Sequence, residues 1–185
     1  DRGTVDVGRV IGGEKRDGGG HVVRDRGIAD VPQQLKNAVI AAEDERFYEH
    51  PGIDYVGVLR AAWANLAAGG RRQGASTITM QVARNFFLSS EKTLTRKLYE
   101  ALLAFKIEHS LSKEQILELY VNQIYLGQRA YGFAAASQAY YGKALGQLSL
   151  AEISMLAGLP KAPSMNPVSN PQRAKQRQQY VLRRM

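Results

Sequence analysis

From Val31 onward apolar residues recur at helical spacing along most of the chain, beginning with Leu35, Ala38, Val39 and Ala42. That spacing turns one face of a helix toward a core. Three carboxylates, Glu43, Asp44 and Glu45, follow directly in "AAEDERFYEHPGID", where this predicted helix leaves the core. Their position raises a functional question. Asp54 is placed to cap a helix through "YVGVLRAAWANLAA" that stops at Gly69-Gly70, and Ser112 with Gln115 makes a capping box for "KEQILELYVNQIYL", expected to stop at Gly127. Ser149 with Glu152 repeats the box before "ISMLAGLP", and Asn170-Pro171 opens a last helix. Another helix is expected from about Glu91. No strand–helix alternation and no internal repeat interrupts this pattern, so the expected class is mainly α.

Two stretches depart from it. Residues 1–30 combine Gly punctuation with short β-branched pieces, "TVDVGRVI" and "HVVRD", which predicts a small irregular or β arm ahead of a domain over 31–185. "GGRRQGAST", Gly69 to Thr77, reads as a flexible loop whose two arginines meet something anionic.

Composition narrows the classes. At 185 residues and 44% hydrophobic content the chain suits one domain with a real core. A formal charge of +8 points to an anionic partner, whether nucleic acid, phosphate or an acidic membrane surface. The absence of cysteine excludes disulfides, thiolate metal sites and a Cys nucleophile. His21, His50 and His109 lack ligand spacing, and His50 before Pro51-Gly52 reads as a turn or packing residue. No apolar run approaches the roughly 18 residues of a membrane span. With Asp1 first and no signal-like segment, the expectation is an excised or processed domain.

Candidate chemistry lies in the carboxylates and the cations. Arg96 and Lys97 precede Glu100 by four and three residues and share its helix face. Taken singly, such a group is usually a solvated ion-pair surface, and an acidic pair at a helix end such as Glu43-Asp44 is usually exposed. Ser76 has no His and Asp partner and reads as a cap or phosphate contact rather than a nucleophile.

The ordered set changes that weighting. "EDERFYEHPGID", "RQGASTITMQ", "TRKLYE", "KEQILELYVNQIYLG" and "LAGLPKAPSMNP" together resemble the peptidoglycan glycosyltransferase domain of class A penicillin-binding proteins, over nearly everything from Ile28 to Met185. The resemblance implies a lysozyme-like helical fold that polymerises lipid II, a disaccharide-pentapeptide on undecaprenyl diphosphate, at the outer face of the bacterial cytoplasmic membrane. It implies Glu43 as general base and Glu100 as a second carboxylate near the donor diphosphate. Asp44, Ser76, Thr77, Gln81, Arg84, Lys92, Arg96 and Lys97 match the polar and basic substrate-binding positions. Met80 stands where the family often has Gln, and Tyr99 where it frequently has Lys. Relatives usually carry an N-terminal anchor and a C-terminal transpeptidase domain, neither expected here; with no Lys-Thr-Gly, no penicillin binding is expected from this chain.

Residue chemistry agrees with the implied reaction. A lipid diphosphate is already a good leaving group, so transfer needs cations for its developing charge and a base for the attacking sugar 4-OH, rather than a general acid. Inversion to a β-1,4 bond follows. No cofactor is required; Mg or Mn could assist at the diphosphate, but the sequence supplies no dedicated cage for it. A lysozyme-like hydrolase shares the fold and a catalytic Glu but has no need of Arg84, Lys92, Arg96 and Lys97 beside a second Glu. A non-catalytic basic module for anionic lipid or nucleic acid leaves the carboxylate motifs unexplained, and nucleic acid is not expected. Membrane contact is expected through Leu59, Trp63 and Leu66 near one face of a helix ending in Arg71-Arg72, the alternative being that Trp63 is core.

Overall fold

The computed structural model describes residues 27–67, 76–87 and 94–185. Within them eight α-helices follow a short 3₁₀ turn at Ile28–Asp30: α1 Gln33–Glu43, α2 Tyr55–Ala67, α3 Ile78–Phe87, α4 Leu94–Ser110, α5 Lys113–Gln123, α6 Phe133–Tyr141, α7 Leu150–Ala157 and α8 Pro171–Arg184. The protein is mainly α, as its periodicity predicts. The sequence-predicted arm over residues 1–30 lies outside the described residues except for that 3₁₀ turn, whose Ile28 N–H donates to Glu118 of α5. Most of the expected Gly69–Thr77 loop and the start of the Glu91 helix also lie outside them.

Predicted caps form. Asp54 Oδ1 accepts from Gly57 N–H at 2.9 Å, Ser112 and Ser149 close capping boxes with Gln115 and Glu152, and Asn170 accepts from Arg173 N–H ahead of Pro171. The end of α5 differs from expectation. Instead of running to Gly127 it stops at Gln123, because Leu126 and Ala130, then Gly132 and Ile124, pair their backbones around a tight turn. Gly127, Gln128, Arg129 and Gly132 hold positive φ there, and Tyr140 donates its hydroxyl to Leu126 O at 2.8 Å.

One core cluster joins the helices through Leu35, Val39, Phe47, Ile78, Val82, Leu117, Tyr120, Phe133, Ile153 and Leu156. Burying such side chains stabilises by about 1.5–3 kcal/mol each. The main helix pairings are α3 on α4 and α5, α7 on α8, and α1 on both α7 and α8. The C-terminal end of α1 therefore meets the rest of the bundle. Lys113 fastens the turn after α1, its Nζ lying 4.5 Å above the buried Phe47 ring and donating to His50 O at 2.6 Å. By contrast α2 makes only slight contact with any other helix, and only Ala61 of its residues is buried.

Candidate active site

Glu43 is the last residue of α1. Its Oε2 accepts from Gln81 Nε2 at 2.9 Å, while Oε1 is shielded from solvent without a hydrogen-bond partner. Burial raises the pKa of this carboxyl; the Gln81 hydrogen bond and the charges of Arg177 and Lys161 offset part of that rise, and Asp44 adds to it. Gln81 is held from the far side by Tyr120, whose hydroxyl faces Gln81 Oε1 at 3.5 Å. Complete burial, with Glu43 nearby, keeps that phenol protonated far into alkaline pH, so its O–H donates to Gln81 Oε1. The amide nitrogen of Gln81 is thereby turned toward Glu43.

Asp44 faces inward. His50 Nε2 lies 2.9 and 3.1 Å from its two oxygens, and Oδ2 accepts from Ile78 N–H at 3.0 Å, the first residue of α3. His50 is a buried packing residue, in line with the sequence reading. Thr77 also serves α3: it accepts from Met80 N–H at 3.2 Å and donates to Gly52 O at 2.6 Å. Asp44 and Thr77 thus fix the start of the helix that carries Gln81 and Arg84.

Glu100 is fully buried, which overturns the usual expectation of a solvated helix face. Arg84 grips it with two bonds, Nε to Oε1 at 2.8 Å and an Nη to Oε2 at 3.2 Å; Arg96 donates to Oε1, and Lys97 to Oε2 at 2.7 Å. Burial alone would raise its pKa, but the bonds from Arg84 and Lys97 win, and the carboxyl sits below its ordinary range. Lys97 also donates to Ser76 Oγ at 2.7 Å. Three cations on one carboxylate leave a cluster of net charge about +2 with Ser76 at its edge. Lys92 lies outside the described residues.

A cleft of about 280 Å³ runs past Glu43; Arg60, Arg84, Lys161 and Arg184 line it together with the carboxylates of Asp44, Glu45 and Asp54, and Ser76, Thr77, Gln81 and Tyr180 complete much of its wall. It joins the proposed base to cations from four parts of the chain. Tyr120, Lys161 and Arg177 were not singled out from sequence. Lys161 sits inside the fifth motif and Tyr120 inside the fourth, so the signal was present at the level of motif. No group of three or more His, Asp or Glu able to hold a metal occurs among the described residues. With both Glu100 oxygens taken by cations and both Asp44 oxygens by His50 and Ile78, neither carboxylate fits a divalent cation.

A carboxylate with one unpartnered oxygen thus opens on a cleft where cations and carboxylates meet, in a mainly helical fold. Comparison assigns that arrangement to a family. The transglycosylase family profile matches residues 20–185, and the chain belongs to this family, with the peptidoglycan glycosyltransferases. It is 67% identical over 159 residues, 85% of the chain, to penicillin-binding protein 1A of Neisseria cinerea. The chain covers 20% of that protein. A Cupriavidus necator protein provisionally named a transglycosylase is 65% identical over 159 residues, 85% of the chain and 68% of its own length. The crystal structure of penicillin-binding protein 1A from Haemophilus influenzae is similar at 29% identity and a TM-score of 0.47, over 88% of this chain and 15% of that one.

Proposed function

We propose that the chain polymerises lipid II into β-1,4 glycan with inversion and release of undecaprenyl diphosphate, Glu43 acting as general base. The observation that carries this reading is the pairing of Glu43, its Oε1 unpartnered, with cations along a single cleft. Burial makes the carboxylate a stronger base than an exposed one and leaves Oε1 free to accept the acceptor's 4-OH proton. The Arg84–Arg96–Lys97 cluster, locked on Glu100, is pre-oriented for the diphosphate oxygens and needs no rearrangement as charge grows there. Glu100 in this arrangement orients cations. The substrate's lipid requires a membrane surface, the outer leaflet of the cytoplasmic membrane by this reading; none of the described helices is long and apolar enough to cross one.

Hydrolysis is the competing reading, because a raised Glu pKa also suits a general acid. It requires a second, open carboxylate. Asp44 and Glu100 are both engaged as described, and the two other carboxylates of the cleft are paired as well, Glu45 with Arg184 at 2.6 Å and Asp54 with Gly57 N–H and Arg46, which favours transfer. Incubation with labelled lipid II and size separation of products tests the proposal: long glycan supports polymerisation, whereas cleavage of preformed glycan without chain growth supports hydrolysis.

A further inference from the structure

Lys113 is the first residue of α5, a position where a cation opposes the helix dipole and an acid is favoured. Its side chain turns inward and is only 18% exposed. Three partners there match the three N–H groups of an ammonium: His50 O at 2.6 Å, Glu108 Oε1 at 2.7 Å and the Phe47 ring at 4.5 Å. Glu108, itself shielded from solvent, accepts the Thr79 hydroxyl on the same oxygen. One ammonium thus reaches the turn after α1, then α4 and, through Glu108, α3. A residue that breaks the local rule of its helix is held in place by what it does for the fold.

Both ends of the Glu43–Gln81 hydrogen bond hang from these parts. Asp44, next to Glu43 in the chain, pairs with His50, whose carbonyl Lys113 holds. Gln81 lies two residues beyond Thr79 on α3. The turn and α3 also meet directly, Asp44 accepting from Ile78 N–H and Thr77 donating to Gly52 O. Gly52, at φ +96°, lets the turn close on α4, since a Cβ there would come within 3.1 Å of the Ala104 backbone and 3.2 Å of Glu108 Cγ. Lys113 itself stands outside the cleft. We infer that Lys113 is a positioning residue for the proton transfer. It ties the turn that follows Glu43 and the helix that carries Gln81 to one charge, and so sets the bond that aims Glu43 Oε1 at the acceptor hydroxyl.

This inference rests on the base role proposed for Glu43. Its test is steady-state kinetics of lipid II polymerisation by the parent, Lys113→Met, Thr79→Val and the double variant, with ¹⁵N NMR of the Gln81 side-chain amide, assigned by its loss in Gln81→Met. Lys113→Met should lower kcat by roughly 10–10²-fold while KM holds within about twofold, because geometry at the base is lost and substrate contacts are not. The Gln81 amide protons should move toward the position of a free glutamine. Thr79→Val, which removes only the link from Glu108 to α3, should give a smaller loss of the same kind, and it serves if Lys113→Met does not fold. The double variant should lose little more than Lys113→Met alone, since both act through Glu108. Parent-like kcat in folded Lys113→Met, a kcat loss with the Gln81 amide unmoved, or losses that multiply in the double variant would overturn the inference. A parent that does not polymerise would instead defeat the base role, leaving the Gln81 amide to judge Lys113.

Discussion

Gln81 donates to Oε2 of Glu43 at 2.9 Å and leaves Oε1, which is shielded from solvent, with no partner. One bond sets the orientation of the carboxylate while the other oxygen stays open for chemistry. Glu43→Gln keeps the shape but cannot take a proton, so polymerisation should fall by roughly 10²–10⁴-fold. Stability should move the other way. Burial raises the folded-state pKa above the ordinary 4.5, so the folded state holds this proton more tightly than the unfolded chain does. That contribution is fully present below the ordinary value and is lost as pH rises through the folded pKa. Thermal melting at pH 7 should therefore show the Gln variant at least as stable as the parent, an advantage that disappears below the ordinary carboxyl range. Near-parent turnover would rule out Glu43 as base.

Glu100 has the opposite sign. Its folded pKa is lowered, so its stability is present above the ordinary 4.5 and is lost as pH falls through the folded value. Glu100→Gln leaves Arg84, Arg96 and Lys97 facing one another without a counter-charge. Loss of one partner from a buried pair can cost 3–5 kcal/mol, but Arg84 and Lys97 side chains are 39% and 41% exposed, so the expected loss is about 1–3 kcal/mol. Urea unfolding at pH 7 and again in acid checks it, since the gap between variant and parent should narrow as the parent's own carboxyl takes up its proton. An unchanged midpoint at pH 7 would mean that the carboxylate does not hold the cluster.

How far the sequence reveals this site depends on the kind of signal. Capping boxes at Ser112 and Ser149 are local and were readable, because the bond they make spans one helical turn. The end of α5 was not, because the backbone pairing that stops it, Leu126 with Ala130 and Gly132 with Ile124, is braced by Tyr140 of the next helix and leaves no mark in the local apolar spacing. Glu43, Gln81 and Glu100 were readable only as members of ordered motifs, and Arg84 only through the resemblance those motifs carry; spacing alone gave the surface reading that the burial of Glu100 overturns. Arg177 lies in none of those motifs, and its charge, like that of Lys161, acts on Glu43 only in the folded chain. Asp44 was expected to bind substrate, and its inward bonds favour a scaffold role.

That scaffold role makes a separate prediction. Asp44→Ala removes the acceptor of Ile78 N–H and the partner of the buried His50 at once, which should cost about 1–3 kcal/mol and loosen the start of α3. Activity should drop because Gln81 and Arg84 ride on that helix. Hydrogen exchange should show lost protection at the amides following Ile78. Full stability and unchanged protection, with activity abolished, would return Asp44 to direct substrate contact.

The exposed face of α2 supplies the last prediction. Leu59, Trp63 and Leu66 follow at helical spacing and are 71%, 74% and 78% exposed, so Trp63 is not core. Val56 lies on the same apolar surface and Tyr55 at its edge, 6.5 Å from the Phe105 ring of α4; among the described residues no helix packs closely over the rest. A contiguous face of this size on a helix so loosely held is costly in water and suits insertion at the headgroup boundary, where Trp and Leu are favoured. Replacing Leu59, Trp63 and Leu66 together by Ser removes apolar area without emptying the core. The melting midpoint should hold within the change produced by ordinary surface substitutions, about 0.5 kcal/mol. Sedimentation with vesicles containing anionic phospholipid should fall several-fold, and polymerisation of membrane-embedded lipid II should fall more than that of a short-chain soluble analogue. Equal losses on both substrates, or parent-like sedimentation, would show that α2 does not carry the membrane contact.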